Sequence, residues 1–259
     1  MTPLSTHLKK IYVFLSTIGL EPLKFINLFF LFKYFGNIHT FKKMGGETYS
    51  YFPILSDFYQ QAGSLARHYF KQDLHVASLV FNAAPHRHLD VGSRLDGFVA
   101  HVASFRKIEV MDIRPLKDIV HQNISFVQAN LMLENPALAN TFDSISCLHA
   151  IEHFGLGRYN DPIDPDGHIT GFHNLLKILR VGGNLYVSFP IGHKTEVQFN
   201  AQRVFHPSAI LSWANDAHQI ELTRFDYIDD DEILHENASP AKNLGTNEGC
   251  GIYTFIKIK

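Results

Sequence analysis

The chain reads as an α/β protein: a doubly wound, mostly parallel sheet of seven strands, closed by a C-terminal antiparallel hairpin and preceded by a helical extension. Three observations predict this. Residues 87–100 run from a short apolar strand through Asp90 and a glycine turn into a helix that carries Leu95, Phe98, Val99 and Val102 on one face. Beyond them, apolar strands and amphipathic helices alternate as far as Phe189. Finally, Ile220 to Ile228 and Gly251 to Ile258 alternate as strands and would pair antiparallel at the end of the sheet.

Composition limits the function. With 259 residues, 46% of them hydrophobic, the chain can bury one large core or one core with an appended subdomain. A formal charge of -2 sets up no overall field to hold a phosphate backbone, so nucleic acid is not an expected partner. Two cysteines, Cys147 and Cys250, form neither a disulfide framework nor a zinc pattern, which fits a reducing cytoplasm.

Three regions follow from patterning. Residues 1–46 are basic and aromatic, with Lys9, Lys10, Lys24, Lys33, Lys42 and Lys43 against Glu21 alone. Its apolar runs, Ile11 to Leu20 and Phe25 to Phe32, fall short of the roughly 20 residues of a spanning helix, and no small-residue cleavage site follows Lys9-Lys10. Such a segment either lies in a membrane interface, as a peripheral contact, or packs on the main domain as a helical extension. Residues 47–84 read as a helical lid or linker. There Ser56 and Asp57 cap one helix carrying Phe58, Ala62, Leu65 and Ala66, and Asp73 starts another, with Tyr69, Phe70 and Gln72 between them. Residues 85–259 form the sheet domain.

Within that domain the strand ends carry the chemistry. A strand that passes through a glycine turn into a helix leaves backbone N–H groups beside its carboxyl end, where ligands of open α/β sheets sit. Asp90 would offer a carboxylate there. Strand two, Lys107 to Asp112, ends in an acid 22 positions later, placed to accept both hydroxyls of a ribose. Strand three, Ile124 to Val127, leads to Asn130, whose amide can face an adenine edge. Strand four, Phe142 to Leu148, runs into His149, Glu152 and His153. A helix with Leu175, Leu176, Ile178 and Leu179 inward ends at Gly182-Gly183, and strand five, Asn184 to Phe189, stops at Pro190.

Asp90-Val91-Gly92, the acidic end of strand two, the Phe142-Asp143-Ser144-Ile145 strand leading to Ile151-Glu152-His153, and Leu179 to Leu185 together resemble class I S-adenosylmethionine-dependent methyltransferases. The likeness covers residues 85–259. More narrowly, residues 68–74, 90–98 and 152–159 are similar to an uncharacterised bacterial family encoded with surface-polysaccharide biosynthesis enzymes, which implies a glycan or nucleotide-sugar acceptor. The resemblance implies S-adenosylmethionine as cofactor. The implied cofactor residues are Asp90, Gly92, Ser93 and Gly97, then Asp112 and Ile113, Asn130 and Leu131, and His149. His153 would act as base with Glu152, since an imidazole titrates near neutrality. The acceptor would be held by Arg158 and by the segment after strand five, through Asn200, Arg203 and His206, with Arg203 gripping a carboxylate or phosphate. Asp161, Asp164, Asp166 and His168 could gather Mg²⁺ or Ca²⁺, but proline-rich turns favour aspartate for local hydrogen bonding, and no metal is assigned there.

Two departures matter. Arg94 stands where a small residue lets the cofactor approach the backbone, which leaves a non-catalytic binding or scaffold protein as the alternative. The missing Gly-x-Gly-x-x-Gly weakens a nicotinamide-dependent reading.

Overall fold

The computed structural model describes residues 6–47, 50–58, 67–118, 121–215, 219–242 and 244–259, and divides into two compact units, Met1–Leu65 and Ala66–Lys259. In the first unit, α1 (Thr6–Thr17) is followed by a 3-10 segment, Pro22–Phe30, and by α2 (Leu31–Lys43). Pro22 opens the 3-10 segment, where its missing N–H has no helical partner to lose. No helix among the described residues is long and apolar enough to cross a membrane. Of the helix expected after Ser56 and Asp57, Ser56–Phe58 forms a single 3-10 turn, and the remainder lies outside the described residues.

The second unit opens with α3 (Arg67–Ala83). Tyr69, Phe70, Gln72 and Asp73 therefore lie inside one helix, not between two, and Asp73 is no helix start. The reason is tertiary. Gln72 is buried and accepts hydrogen bonds from Ser188 Oγ at 2.6 Å and Cys250 Sγ at 3.1 Å, so a polar residue that reads as linker is an anchor.

The strands are β1 (His88–Val91), β2 (Ile108–Asp112), β3 (Ile124–Gln128), β4 (Phe142–Leu148), β5 (Leu179–Ile191), β6 (Glu196–Gln198), β7 (Gln202–Val204), β8 (Ile220–Ile228), β9 (Leu234–His235) and β10 (Gly249–Lys257). Eight of them form one sheet in the order β3-β2-β1-β4-β5-β10-β8-β9, while β6 and β7 form a separate ribbon. The first five pair in parallel, and β10 runs antiparallel to both β5 and β8. The two-residue β9 is the strand beyond the seven expected.

Strand order reverses between β1 and β4. That reversal parts the connections on the two faces and opens a crevice at the carboxyl ends of the strands.

Two details differ from the sequence reading. Helix α5 (Gly167–Ile178) ends directly at Leu179, whose extended backbone starts β5, so Gly182, at φ +80°, bends a strand instead of capping a helix. Strand β5 also runs through Pro190 to Ile191. Proline lacks only the N–H, and the Pro190 carbonyl still accepts the Phe205 N–H at 3.0 Å.

Alternating side chains divide between two apolar clusters. Leu89, Val91, Ile145 and Tyr253 pack with Phe172, Leu175 and Leu176 of α5 and with Trp213 of α6 (Ala209–Asn215). Ile108, Val110, Tyr186 and Ile252 pack with Val76 and Val80 of α3 and with Val102 of α4 (Ala100–Ala103). The period of two along β10, Ile252 to one cluster and Tyr253 to the other, is what buries both faces of the sheet.

Candidate functional site

A cleft of about 550 Å³ opens at the carboxyl ends of β1 to β4. Gly92, Asp112, Ile113, Asn130, Leu131, His149 and His153 line it, so seven of the residues singled out from sequence meet there. Gly92 leaves β1 at φ +75°, and a Cβ there would stand 2.9 Å from the Ala150 Cβ. Only glycine satisfies both the backbone and the close approach of the loop after β4.

Asp90, expected to face the ligand, does not. It is fully buried beneath the turn, where Oδ2 accepts the Ser93 N–H at 3.1 Å and Oδ1 accepts Ser93 Oγ at 2.8 Å and Ser146 Oγ at 2.6 Å. Burial pushes its carboxyl up to about 7, against the pull of these bonds. Asp90 and Ser93 therefore hold the shape of the turn. Gly97 is likewise outside the cleft: a Cβ on it would meet the Asp73 Oδ2 at 2.5 Å. Arg94 turns outward, with Nε and Nη2 on the two oxygens of Asp96 at 2.9 and 2.7 Å and its side chain 78% exposed.

Asp112 sits at the cleft with a partner that the sequence reading missed. Arg114 donates its backbone N–H to Oδ1 at 2.8 Å, Nε to Oδ1 at 2.9 Å and Nη2 to Oδ2 at 2.6 Å. The same guanidinium lies 4.5 Å from the ring centroid of Tyr159, another wall of the cleft. Asn130 Oδ1 accepts the Met132 N–H at 2.9 Å, which turns the amide NH₂ into the group a ligand edge would meet. Ile113 and Leu131 supply apolar walls.

On the β4 side, His149 adopts φ +48° and is buried. Its Nδ1 is 2.9 Å from Glu152 Oε1 and its Nε2 is 3.3 Å from Cys250 Sγ. Burial opposes charge on this ring, but Cys250 and Glu152 outweigh it and raise its pKa well above the ordinary histidine value. Glu152 is fully buried, and its Oε2 has no hydrogen-bond partner among the described residues. His153 Nε2 lies 3.7 Å from Glu152 Oε1, and its Nδ1 is 3.4 Å from Arg158 Nη1. Burial lowers the His153 pKa, with Glu152 pulling the other way. Glu152 thus stands beside two imidazoles whose pKa values are moved in opposite directions, up for His149 and down for His153.

The expected acceptor residues scatter. Arg203 is only 3% exposed: Nη1 bonds the carbonyls of Glu152 and Phe154 at 3.3 and 2.6 Å, and Nη2 those of Asp164 and Pro165 at 3.3 and 3.0 Å. It ties loops together and cannot grip an acceptor. Asn200 is exposed, and Arg158 donates to the Ala201 carbonyl at 2.6 Å beside the cleft. His206 lines a second pocket of about 200 Å³ with His193, Lys242 and Thr246. In the Asp161 to His168 loop, Asp161 accepts the N–H groups of Gly155, Gly157 and Tyr159, and Asp164 that of Asp166, as turn carboxylates do.

A family model described as "Caenorhabditis protein of unknown function, DUF268" matches residues 100–212. No curated protein matches the chain. Among solved structures, the 1,6-didemethyltoxoflavin-N1-methyltransferase of Burkholderia thailandensis, bound to its substrate and S-adenosylhomocysteine, is similar at 15% identity. The alignment covers 72% of this chain and 79% of that one, with a TM-score of 0.50. A putative methyltransferase from Bacillus halodurans matches at 15% identity over 73% of this chain and all of that one, with a TM-score of 0.51. The cyclase SpnF matches at 14% identity over 71% of this chain and 81% of that one, with a TM-score of 0.52. The sheet order, the antiparallel β10 and these likenesses agree: the sheet domain has the class I methyltransferase fold.

Proposed function

We propose that this chain is an S-adenosylmethionine-dependent methyltransferase of the cytoplasm, acting on a glycan, a nucleotide sugar or a related small molecule. The observation that carries the reading is the Asp112 carboxylate at a cleft between apolar Ile113 and Leu131, opposite a turn where only glycine fits. That donor set suits a nucleoside with an amino-acid arm. Asp112 would take the ribose hydroxyls, the Asn130 NH₂ the purine edge, and the backbone after Gly92 the arm. The cofactor supplies a methyl group on a sulfonium.

The chain's own residues hold and deprotonate the acceptor. Burial lowers the His153 pKa and favours the neutral imidazole, which would take the acceptor proton on Nδ1 in place of its 3.4 Å contact with Arg158 Nη1, while Glu152 beside Nε2 favours the imidazolium that results. Tyr159, edge-on to His153 at 5.5 Å, keeps water from the ring. The glycan-related acceptor rests on the sequence likeness of residues 68–74, 90–98 and 152–159.

The alternative reading, a non-catalytic binding or scaffold protein, draws on Arg94; the pairing of Arg94 with Asp96 in solvent favours the catalytic reading over it. A cyclase shares this fold, so the reaction is assigned from the site and not from the fold. Calorimetric titration with S-adenosylmethionine and S-adenosylhomocysteine tests the cofactor, with NAD as control. Binding of the first two alone supports the reading, and indifference to both overturns it. Incubation with candidate nucleotide sugars and labelled methyl donor then tests the acceptor.

A further inference from the structure

Among the described residues of the first unit, most of the large apolar side chains are exposed. Helix α2 contains no buried residue at all. Phe25, Phe29, Phe32 and Phe35 are 64, 79, 87 and 60% exposed, and Ile11, Val13, Phe14 and Ile18 of the α1 region are each more than half exposed. Isolated helices of this length are marginal in water, and their stability comes from an apolar face laid against something. Exposed apolar side chains in this number within so short a segment mark an interaction site.

The charges say what covers it. Residues 6–47 hold six lysines against Glu21 and Glu47, and Glu21 pairs with Lys24 at 2.7 Å. Lys10 and Lys43 flank the phenylalanine-rich stretch at its two ends, and the ammonium of Lys33 lies 4.5 Å from the Phe58 ring centroid. A second copy of the same surface would set lysines against lysines. A bilayer rich in anionic phospholipid offers acyl chains to the rings and phosphates to the lysines together. The segments are too short to span, so the surface lies along the interface.

We propose that residues 6–47 dock the protein on an anionic membrane surface, with Phe25, Phe29, Phe32 and Phe35 in the acyl boundary and Lys10, Lys33 and Lys43 at the head groups. The enzyme would then work at the membrane face, where a lipid-linked or membrane-assembled acceptor is concentrated. The docking stands whether or not the chain transfers methyl groups.

Flotation of the full chain with phosphatidylcholine vesicles, with and without phosphatidylglycerol, tests it. The full chain floats with the anionic vesicles and on the order of tenfold less with the neutral ones, and added salt weakens the binding. Phe29→Ser with Phe32→Ser, and separately Lys10→Glu with Lys43→Glu, each lower flotation on the order of tenfold, with far-UV circular dichroism unchanged. No flotation on either vesicle overturns the proposal, as does equal flotation of the lysine variant. A concentration-dependent oligomer that the phenylalanine variant dissolves, with no vesicle binding, assigns the surface to a second copy and overturns it as well.

Discussion

Arg114 grips both carboxylate oxygens of Asp112, at 2.9 and 2.6 Å, while its guanidinium lies against Tyr159. A planar two-point pair of this kind occupies the in-plane faces of the acid that two ribose hydroxyls would also seek. In the proposed function, Arg114 would therefore compete with the nucleoside for Asp112. Calorimetry should find Asp112→Ala weakening S-adenosylhomocysteine binding by more than about tenfold, the loss of one charge-assisted pair. Arg114→Ala should tighten it by roughly three- to tenfold, the gain from removing a competitor for one carboxylate.

Gly92→Ala should damage both stability and the cleft. At φ +75°, with a Cβ 2.9 Å from that of Ala150, the variant must strain its backbone and push back the loop after β4. A cost of roughly 1 to 3 kcal/mol is expected in urea denaturation, together with loss of ligand binding.

Asp90 makes stability depend on pH. Its folded pKa of about 7 lies above the unfolded carboxylate value, so its contribution is complete below pH 4 and disappears as pH rises through 7. The wild type should lose roughly 2 to 4 kcal/mol from this group between those limits. Asp90→Asn should flatten that part of the curve in denaturation midpoints measured across the range.

The His149 titration reports on the buried trio. Because Glu152 and Cys250 sustain its charge, Glu152→Gln should move the His149 midpoint down, as read by NMR of the imidazole protons. In the wild type the raised pKa adds stability that is present below the unfolded histidine value and is lost as pH rises through the folded one. If the midpoint stays where it was, Glu152 is not what holds the proton.

Arg203→Leu should unfold the protein sooner and leave acceptor affinity to other residues. Four backbone carbonyls lose a buried cationic donor, at a cost of roughly 2 to 4 kcal/mol in thermal or urea unfolding.

Much of the molecule was legible before folding, because period and punctuation are local. The apolar runs of β1 to β5, the turn at Gly92 and the acid ending β2 each follow from residues adjacent in the chain, and a strand end faces the crevice wherever the strand goes. For that reason Gly92, Asp112 and Asn130 could be placed at one cleft from their order alone, while His149 came with the family resemblance. Gln72, Cys250 and Arg203 could not. Gln72 meets Ser188 and Cys250 across the sheet, His149 meets Cys250 over 101 positions, and Arg203 finds its carbonyls 38 to 51 residues earlier. Whether a polar side chain anchors the interior or faces a ligand is decided by what the sheet brings against it. Burial removes water as a partner, and the groups that replace it come from distant parts of the chain.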